Sequence, residues 1–377
     1  MRIVIAIDSF KGSLTSLQAG NAVRDAVLKL DNNAEIFVRP LADGGEGTVD
    51  ALSNGLGGKI VEITVSGPLL KPVNARYCIL QDNFTAVIEM ASASGITLLS
   101  SEERNPLLTT TYGVGEIIKD AIKRGCRHFI VGIGGSATND GGFGMLNALG
   151  FEFLDKTGQN IPLGAQGLEY LHSISTANVI SELKECTFRI ACDVTNPLCG
   201  GNGCSTVFGP QKGATPKMIE KMDSWLKNYA AIAKTVSPKA DINYPGVGAA
   251  GGLGFAFLTF TNASLESGIN IILDETKLEE YINNADLVVT GEGRLDSQTV
   301  MGKAPIGVAK LAKKHGKKVI AFSGCVTEDA EVCNAHGIDA FFPIMRTVVT
   351  LEEALNTDNA YKNLLSTAHQ VFRLINI

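Results

Sequence analysis

The sequence predicts an α/β fold of two domains: a doubly wound, mostly parallel-sheet domain formed by both termini, and an inserted α/β domain with a mixed sheet. Three observations predict it. Short β-branched apolar runs alternate with stretches of helical periodicity at both ends of the chain, the pattern of βαβ units with helices on both faces of a sheet. The middle carries a hairpin pattern instead. A length of 377 residues also corresponds to roughly two domains.

The elements follow in order. Arg2 to Ile7 is an apolar run cut off by Asp8, and Leu17, Val23, Val27 and Leu30 then recur at helical spacing before a second run at Ile36 to Val38. A glycine-rich turn, Asp43-Gly44-Gly45-Glu46-Gly47, leads to a short helix ending near Asn54 and a β-rich stretch from Lys59 to Val65. Val61 to Leu80 reads as a hairpin around Ser66-Gly67-Pro68, and Thr187 to Phe208 as strands broken by a glycine loop after Asn196-Pro197. Towards the carboxyl end, Leu287 to Thr290, Val319 to Ser323 and Phe341 to Pro343 read as strands, separated by helices at Ile306 to Lys314 and Asp329 to His336. Leu364, Leu365, Ala368, Val371 and Phe372 mark the apolar face of a closing helix. Because the termini of a domain commonly lie close together, residues 1–65 with 285–377 are expected to form one discontinuous domain and 66–284 the insert.

Composition removes whole classes of function. Apolar residues at 45% and charged residues at 19% exclude disorder. A formal charge of −6 without a Lys/Arg run argues against a nucleic-acid partner. The amino-terminal apolar run is too short for a secretory signal, and the long uncharged stretch between Asp241 and Glu266 is interrupted by Asn, Pro and Gly, so it reads as a buried loop and helix rather than a membrane span. The eight cysteines form no C-x-x-C pair, which fits reduced thiols in a cytoplasmic protein better than zinc or disulfides.

Glycines are in excess, 41 in all, and they cluster with charged residues. Backbone N–H groups freed of Cβ atoms make anion-binding nests at strand ends, where open α/β sheets bind ligands. Four glycine strings qualify, Asp8 to Ser13, Ala42 to Thr48, Gly132 to Gly142 and Thr290 to Asp296, and Asp193 to Pro197, which has no glycine, joins them as a polar loop at a strand end. The third contains Gly132-x-Gly134-x-x-Ala137, a match to the dinucleotide fingerprint that would suit a nicotinamide-dependent 2-hydroxy-acid dehydrogenase. Against it, Thr138-Asn139-Asp140-Gly141-Gly142 postpones the helix past the point where a pyrophosphate needs its N-terminus. A Walker A loop is absent, because Gly302-Lys303 is followed by Ala304 and lacks the earlier glycine. The chemistry that wants several carboxylates, a few cations and many backbone donors is phosphoryl transfer with Mg²⁺. Asp193, Glu292, Asp296, Asp43 and Asp140 are the candidate metal or base groups, and Lys11, Lys212, Arg294 and Lys303 the candidate clamps for phosphate or carboxylate.

Taken together and in order, Asp8 to Ser13, Ala42 to Thr48, Gly134 to Gly142, Phe208-Gly209-Pro210-Gln211-Lys212-Gly213-Ala214 and Thr290 to Asp296 resemble the motifs of the bacterial glycerate kinase family across the whole chain. The resemblance implies two α/β domains with the active cleft between them, and phosphorylation of D-glycerate by ATP. In the branch most resembled the 2-hydroxyl is the acceptor, giving 2-phosphoglycerate and ADP in glycolate, glyoxylate and glucarate degradation; a 3-phosphate product is the alternative.

Each residue carries a plainer reading beside the functional one. Asp193, at the tip of the run Phe188 to Cys192, is placed to hold Mg²⁺ or accept a hydroxyl proton. Lys11 stands before Gly12-Ser13 and an expected helix start, though it also fits a solvated turn. Asp43, Glu46 and Asp140 fit helix caps as well as ligand contacts. Glu292, Arg294 and Asp296 alternate along what reads as a loop, either as an ion-pair cluster or as a site in which Arg294 grips the substrate carboxylate, Asp296 orients the hydroxyl and Glu292 holds metal. Lys303, ahead of Pro305, is a phosphate candidate. Nucleotide and substrate contacts are thus expected from Asp43, Gly44, Gly45, Glu46, Gly134, Gly135, Ser136, Asn139, Asp140, Gly141, Lys212, Gly291, Glu292 and Lys303. The five histidines lie outside these strings and receive no role.

Overall fold

A computed structural model describes residues 1–42 and 47–375. The chain divides into two compact units, the first comprising Met1–Asp43, Asp50–Gly57 and Ile269–Ile377, the second Gly44–Val49 and Gly58–Gly268. In chain order the first unit opens with β1 (Arg2–Ile5) and β2 (Glu35–Val38). The second supplies β3 (Gly58–Ser66), β4 (Pro72–Leu80), β5 (Thr85–Glu89), β6 (His128–Gly132), β7 (Glu152–Leu154), β8 (Ser173–Ser175), β9 (Thr187–Ala191) and β10 (Ala263–Glu266). The first resumes with β11 (Leu287–Leu295), β12 (Lys318–Val326) and β13 (Ala340–Pro343).

In the first unit the strand order is β13-β12-β11-β1-β2, all parallel. The central strands are apolar on both faces, as a parallel sheet covered on two sides requires. Ile3, Ile5, Leu287, Val289, Ile320 and Phe322 share one core with the helices Ser16–Leu28 and Thr357–Ile375, whose apolar residues recur at helical spacing. Val4, Val288, Val319 and Ala321 are buried too, and the helix Ala304–Lys314 packs against β11 and β12. Thr15 starts the first helix with a capping box closed by Gln18. That start lies beyond the Phe10–Leu14 turn, so the Lys11 turn precedes the helix instead of forming its first donors.

In the second unit the order is β10-β9-β6-β5-β4-β3. β3, β4 and β5 pair antiparallel, while β5, β6, β9 and β10 run parallel, which is the mixed sheet expected from the sequence. The predicted hairpin is β3–β4, with Gly67 N–H donating to Lys71 O at 2.8 Å across its turn. Phe129 stacks on Phe188 at 4.7 Å and Phe188 meets Phe257 at 5.5 Å, so aromatic rings join the sheet to the helix Ala249–Phe260.

Two sequence expectations are corrected. The sequence predicts that Thr290 to Asp296 leaves a strand as a loop, but β11 runs on to Leu295, paired with β12 as far as Val326. Gly291 makes this possible: a Cβ there would stand 2.0 Å from the Phe322 carbonyl oxygen, so the close pairing admits only glycine. Past β9 the sequence predicts a return to strand, yet Cys204–Phe208 is a short helix.

Candidate functional site

In the first unit, three parallel strands deliver polar residues to the carboxyl edge of the sheet, where such sheets bind ligands. Past β1 the chain keeps pairing with β11, through Ala6 N–H to Val289 O at 2.8 Å and Asp8 N–H to Gly291 O at 2.9 Å. It then turns at Phe10–Leu14 with Lys11 exposed. A Cβ on Gly293 would lie 3.4 Å from the Lys11 backbone nitrogen, so this turn rests on the bare backbone of β11. Strand alternation puts Glu292 and Arg294 on one face. Glu292 is buried and its Oε1 accepts the Thr299 hydroxyl at 2.7 Å. Lys303 Nζ stands 3.6 Å from Glu292 Oε2 and 3.8 Å from Asp296 Oδ1, and Arg294 Nε stands 3.2 Å from Asp296 Oδ2. Ser323 Oγ accepts Leu295 N–H at 3.0 Å and donates to Cys325 O at 2.7 Å, tying the ends of β11 and β12 together.

Burial pushes the Glu292 carboxyl above its ordinary range, against the opposing pull of the Thr299 hydrogen bond and the Lys303 charge. A carboxylate so placed is stabilised by any further positive charge. Two carboxylate oxygens, Glu292 Oε2 and Asp296 Oδ1, already converge on one ammonium. Hard oxygen donors of this kind fit Mg²⁺, which binds through one or two carboxylates and fills its remaining positions with water and phosphate oxygens. Among the described residues no group of three or more His, Cys, Asp or Glu gathers into a fuller cage.

In the second unit, the loop after β6 is built around buried hydrogen bonds. Ile96 N–H donates to Gly135 O at 2.8 Å, and Ala137 N–H to Ser94 O at 2.9 Å, pinning Ser136 between them. Lys212 is buried, and its Nζ donates to Ser136 Oγ at 2.7 Å and to Thr138 O at 2.6 Å. Burial lowers its pKa to about 8, with Cys204 and Asp140 acting the other way. Asp140 is fully buried and accepts Thr111 N–H at 2.8 Å, Thr111 Oγ1 at 2.9 Å, Thr110 Oγ1 at 3.3 Å and Gly142 N–H at 3.1 Å. Burial raises its pKa, opposed by the Thr111, Gly142 and Gly144 donors. Asn139 Nδ2 donates to Ser205 Oγ at 2.8 Å, while its Oδ1 is buried without a hydrogen-bond partner among the described residues. Gly141 N–H donates to Gly251 O at 2.9 Å, and Gly251, in the left-handed region at φ +67°, has room only for hydrogen, since a Cβ would meet Thr138 O at 2.0 Å.

The register pairs Gly132 with Ala191, so Gly134 and Asp193 leave neighbouring parallel strands at the same edge. Asp193 is exposed, and its Oδ1 accepts Ser267 Oγ at 2.8 Å and Gly268 N–H at 3.1 Å. Asp43, Gly44, Gly45 and Glu46 lie outside the described residues. Just beyond them Glu89, at the end of β5, accepts the N–H groups of Gly47 at 3.1 Å and Val49 at 2.8 Å.

The structure thus gathers Lys11, Gly291, Glu292, Arg294, Asp296 and Lys303 in one unit. It gathers Ser136, Asn139, Asp140, Gly141 and Lys212 around the Gly134–Gly135 loop in the other. Residues that sequence reasoning missed are Thr299, Thr110, Thr111, Ser205 and Glu89, all hydrogen-bonding partners of the charged or amide groups. Only the adjacency Asp296-x-x-Thr299 offered a local signal for any of them.

Comparison with known proteins decides the lineage of this arrangement: the profile of the Glycerate kinase family matches residues 3–376. The chain belongs to that family. It is 46% identical over 375 residues to a glycerate kinase of Haemophilus influenzae, covering 100% of this chain and 99% of the relative. To the glycerate 2-kinase of Escherichia coli K12 it is 45% identical over 371 residues, covering 98% and 97% of the two chains. A crystal structure of a protein assigned as glycerate kinase 2 from Salmonella typhimurium LT2 superimposes with a TM-score of 0.92 at 46% identity, covering 100% of this chain and 98% of that one. Membership of the glycerate kinase family makes the chain an enzyme of the transferase class, a kinase. Among the described residues no helix is long and apolar enough to cross a membrane.

Proposed function

We propose that this enzyme transfers the γ-phosphoryl group of ATP, with Mg²⁺, to the 2-hydroxyl of D-glycerate, giving 2-phosphoglycerate and ADP in the degradation of glycolate, glyoxylate or glucarate in the cytoplasm. The observation that carries the reading is the convergence of Glu292 Oε2 and Asp296 Oδ1 on Lys303 Nζ at 3.6 and 3.8 Å, two acids and a cation where β11 ends. Whole-length identity of 45% to a glycerate 2-kinase supports the choice of hydroxyl.

The roles follow from the chemistry of each group. Glu292 and Asp296 would hold Mg²⁺, which offsets charge on the phosphates. Lys303 and Lys11 add positive charge for the transferred group, and the Arg294 fork takes the glycerate carboxylate. Asp193 is an acceptor suited to orienting a hydroxyl or holding metal, and the Gly134–Gly142 loop offers backbone donors to nucleotide or substrate. Purified protein given MgATP and D-glycerate should release ADP, with phosphorus NMR of the product showing the 2-phosphate. A 3-phosphate would correct the regiochemistry. Absence of ADP release, with cofactor reduction when a nicotinamide nucleotide is supplied instead, would replace the reading by the dehydrogenase one.

A further inference from the structure

Thr299 is fully buried, and both hydrogen-bonding functions of its hydroxyl are committed. The oxygen accepts Asp296 N–H at 3.2 Å, and the hydrogen goes to Glu292 Oε1 at 2.7 Å. One hydroxyl therefore links the backbone of one acid to the side chain of the other. Its own frame is stiff: Thr299 N–H donates to Asp296 O at 3.0 Å, Lys303 N–H donates to Thr299 O at 3.3 Å, and a β-branched side chain has few rotamers to visit. With Oε1 occupied by Thr299, the oxygen that Glu292 turns to Lys303 is Oε2.

We propose that Thr299 is a positioning residue that fixes the Glu292 carboxylate so that Oε2 faces the cation used in phosphoryl transfer. The inference rests on the reading of Glu292 as a metal-holding group. A carboxylate on a free χ3 torsion divides its time among orientations, and one anchored oxygen removes that freedom before the cation arrives.

The test compares T299V, which keeps the shape and loses the hydroxyl, with T299S, which keeps the hydroxyl, and with E292Q. Two measurements are made: steady-state kinetics, and binding of Mn²⁺ in the presence of ADP followed by electron paramagnetic resonance without turnover. Loss of a hydrogen bond to a charged group corresponds to about 10- to 100-fold. T299V is expected to lower kcat and weaken Mn²⁺ binding by that order while KM for D-glycerate stays within about twofold, and T299S is expected to recover most of both. If T299V fails to fold, T299A against T299S carries the same comparison. Wild-type Mn²⁺ binding in T299V beside an E292Q that has lost it overturns the inference and leaves the reading of Glu292 intact, as does a T299S as impaired as T299V. An E292Q that binds Mn²⁺ and turns over like wild type overturns the reading of Glu292, and the inference with it.

Discussion

Lys212 Nζ stands 2.7 Å from Ser136 Oγ, inside the protein, where it also reaches the Thr138 carbonyl. A residue whose motif suggested a phosphate clamp therefore organises the glycine loop from behind. Burial holds its pKa at about 8 against an ordinary 10.5, so between these values the unfolded chain binds the proton and the native protein does not. The sign follows by linkage: the penalty for the buried charge is full below pH 8 and is relieved as pH rises towards 10.5. The unfolding free energy of wild type minus that of K212M should be flat below pH 8 and rise by about 1.4 kcal/mol per pH unit above it. Urea titrations from pH 7 to 10 measure this, and a difference that falls or stays constant refutes the account.

Asp140 presents one oxygen to three donors and the other to Gly142 N–H. D140N keeps its carbonyl where three donors converge and must then set an amide N–H against the Gly142 N–H. The expected loss is about 1–3 kcal/mol of unfolding free energy, the cost of a buried donor left unmatched. D140A should lose more, because every donor that meets the carboxylate goes unpaired. Equal urea midpoints for D140N and wild type would contradict the role.

What was legible in the sequence was whatever periodicity and backbone freedom can encode. Apolar runs alternating with helical spacing gave the parallel sheet, and Ser66-Gly67-Pro68 gave the hairpin. The glycine strings marked both polar clusters. The strand through Gly291-Glu292-Gly293-Arg294 was hidden because glycine is poor in strands on local preference, while the reason for it, the nearness of the Phe322 carbonyl, is tertiary. Val207-Phe208 suggested strand for the opposite cause: β-branched and aromatic residues ended a five-residue helix that follows a glycine turn. The inward direction of Lys212 and the bond from Thr299 to Glu292 depend on atoms brought together only by folding, and no spacing announces them.

Gly291→Ala tests that hidden strand. Its Cβ would stand 2.0 Å from Phe322 O, against backbone that cannot swing aside as a long side chain would. Overpacking of this kind costs about 1–3 kcal/mol. The strain falls one residue before Glu292, so activity should drop further than stability alone explains, by about 100-fold for a displacement near 1 Å. Thermal unfolding beside kcat measures both, and a variant with wild-type values in each would show that β11 yields without cost.

Arg294→Lys separates substrate grip from chemistry. Arg294 Nε already pairs with Asp296 Oδ2 at 3.2 Å, and the side chain remains 62% exposed, which leaves the outer edge of the guanidinium fork to a ligand. A carboxylate taken there under the proposed reaction would be held by two parallel N–H bonds, a geometry that the single ammonium of lysine cannot copy. The charge survives the substitution while the second bond does not. KM for D-glycerate should therefore rise about 10- to 100-fold with a smaller change in kcat, and KM for ATP should stay near its wild-type value. A fall in kcat with both KM values unchanged would instead assign Arg294 to the transferred phosphoryl group, because only a contact made in the transition state produces that signature.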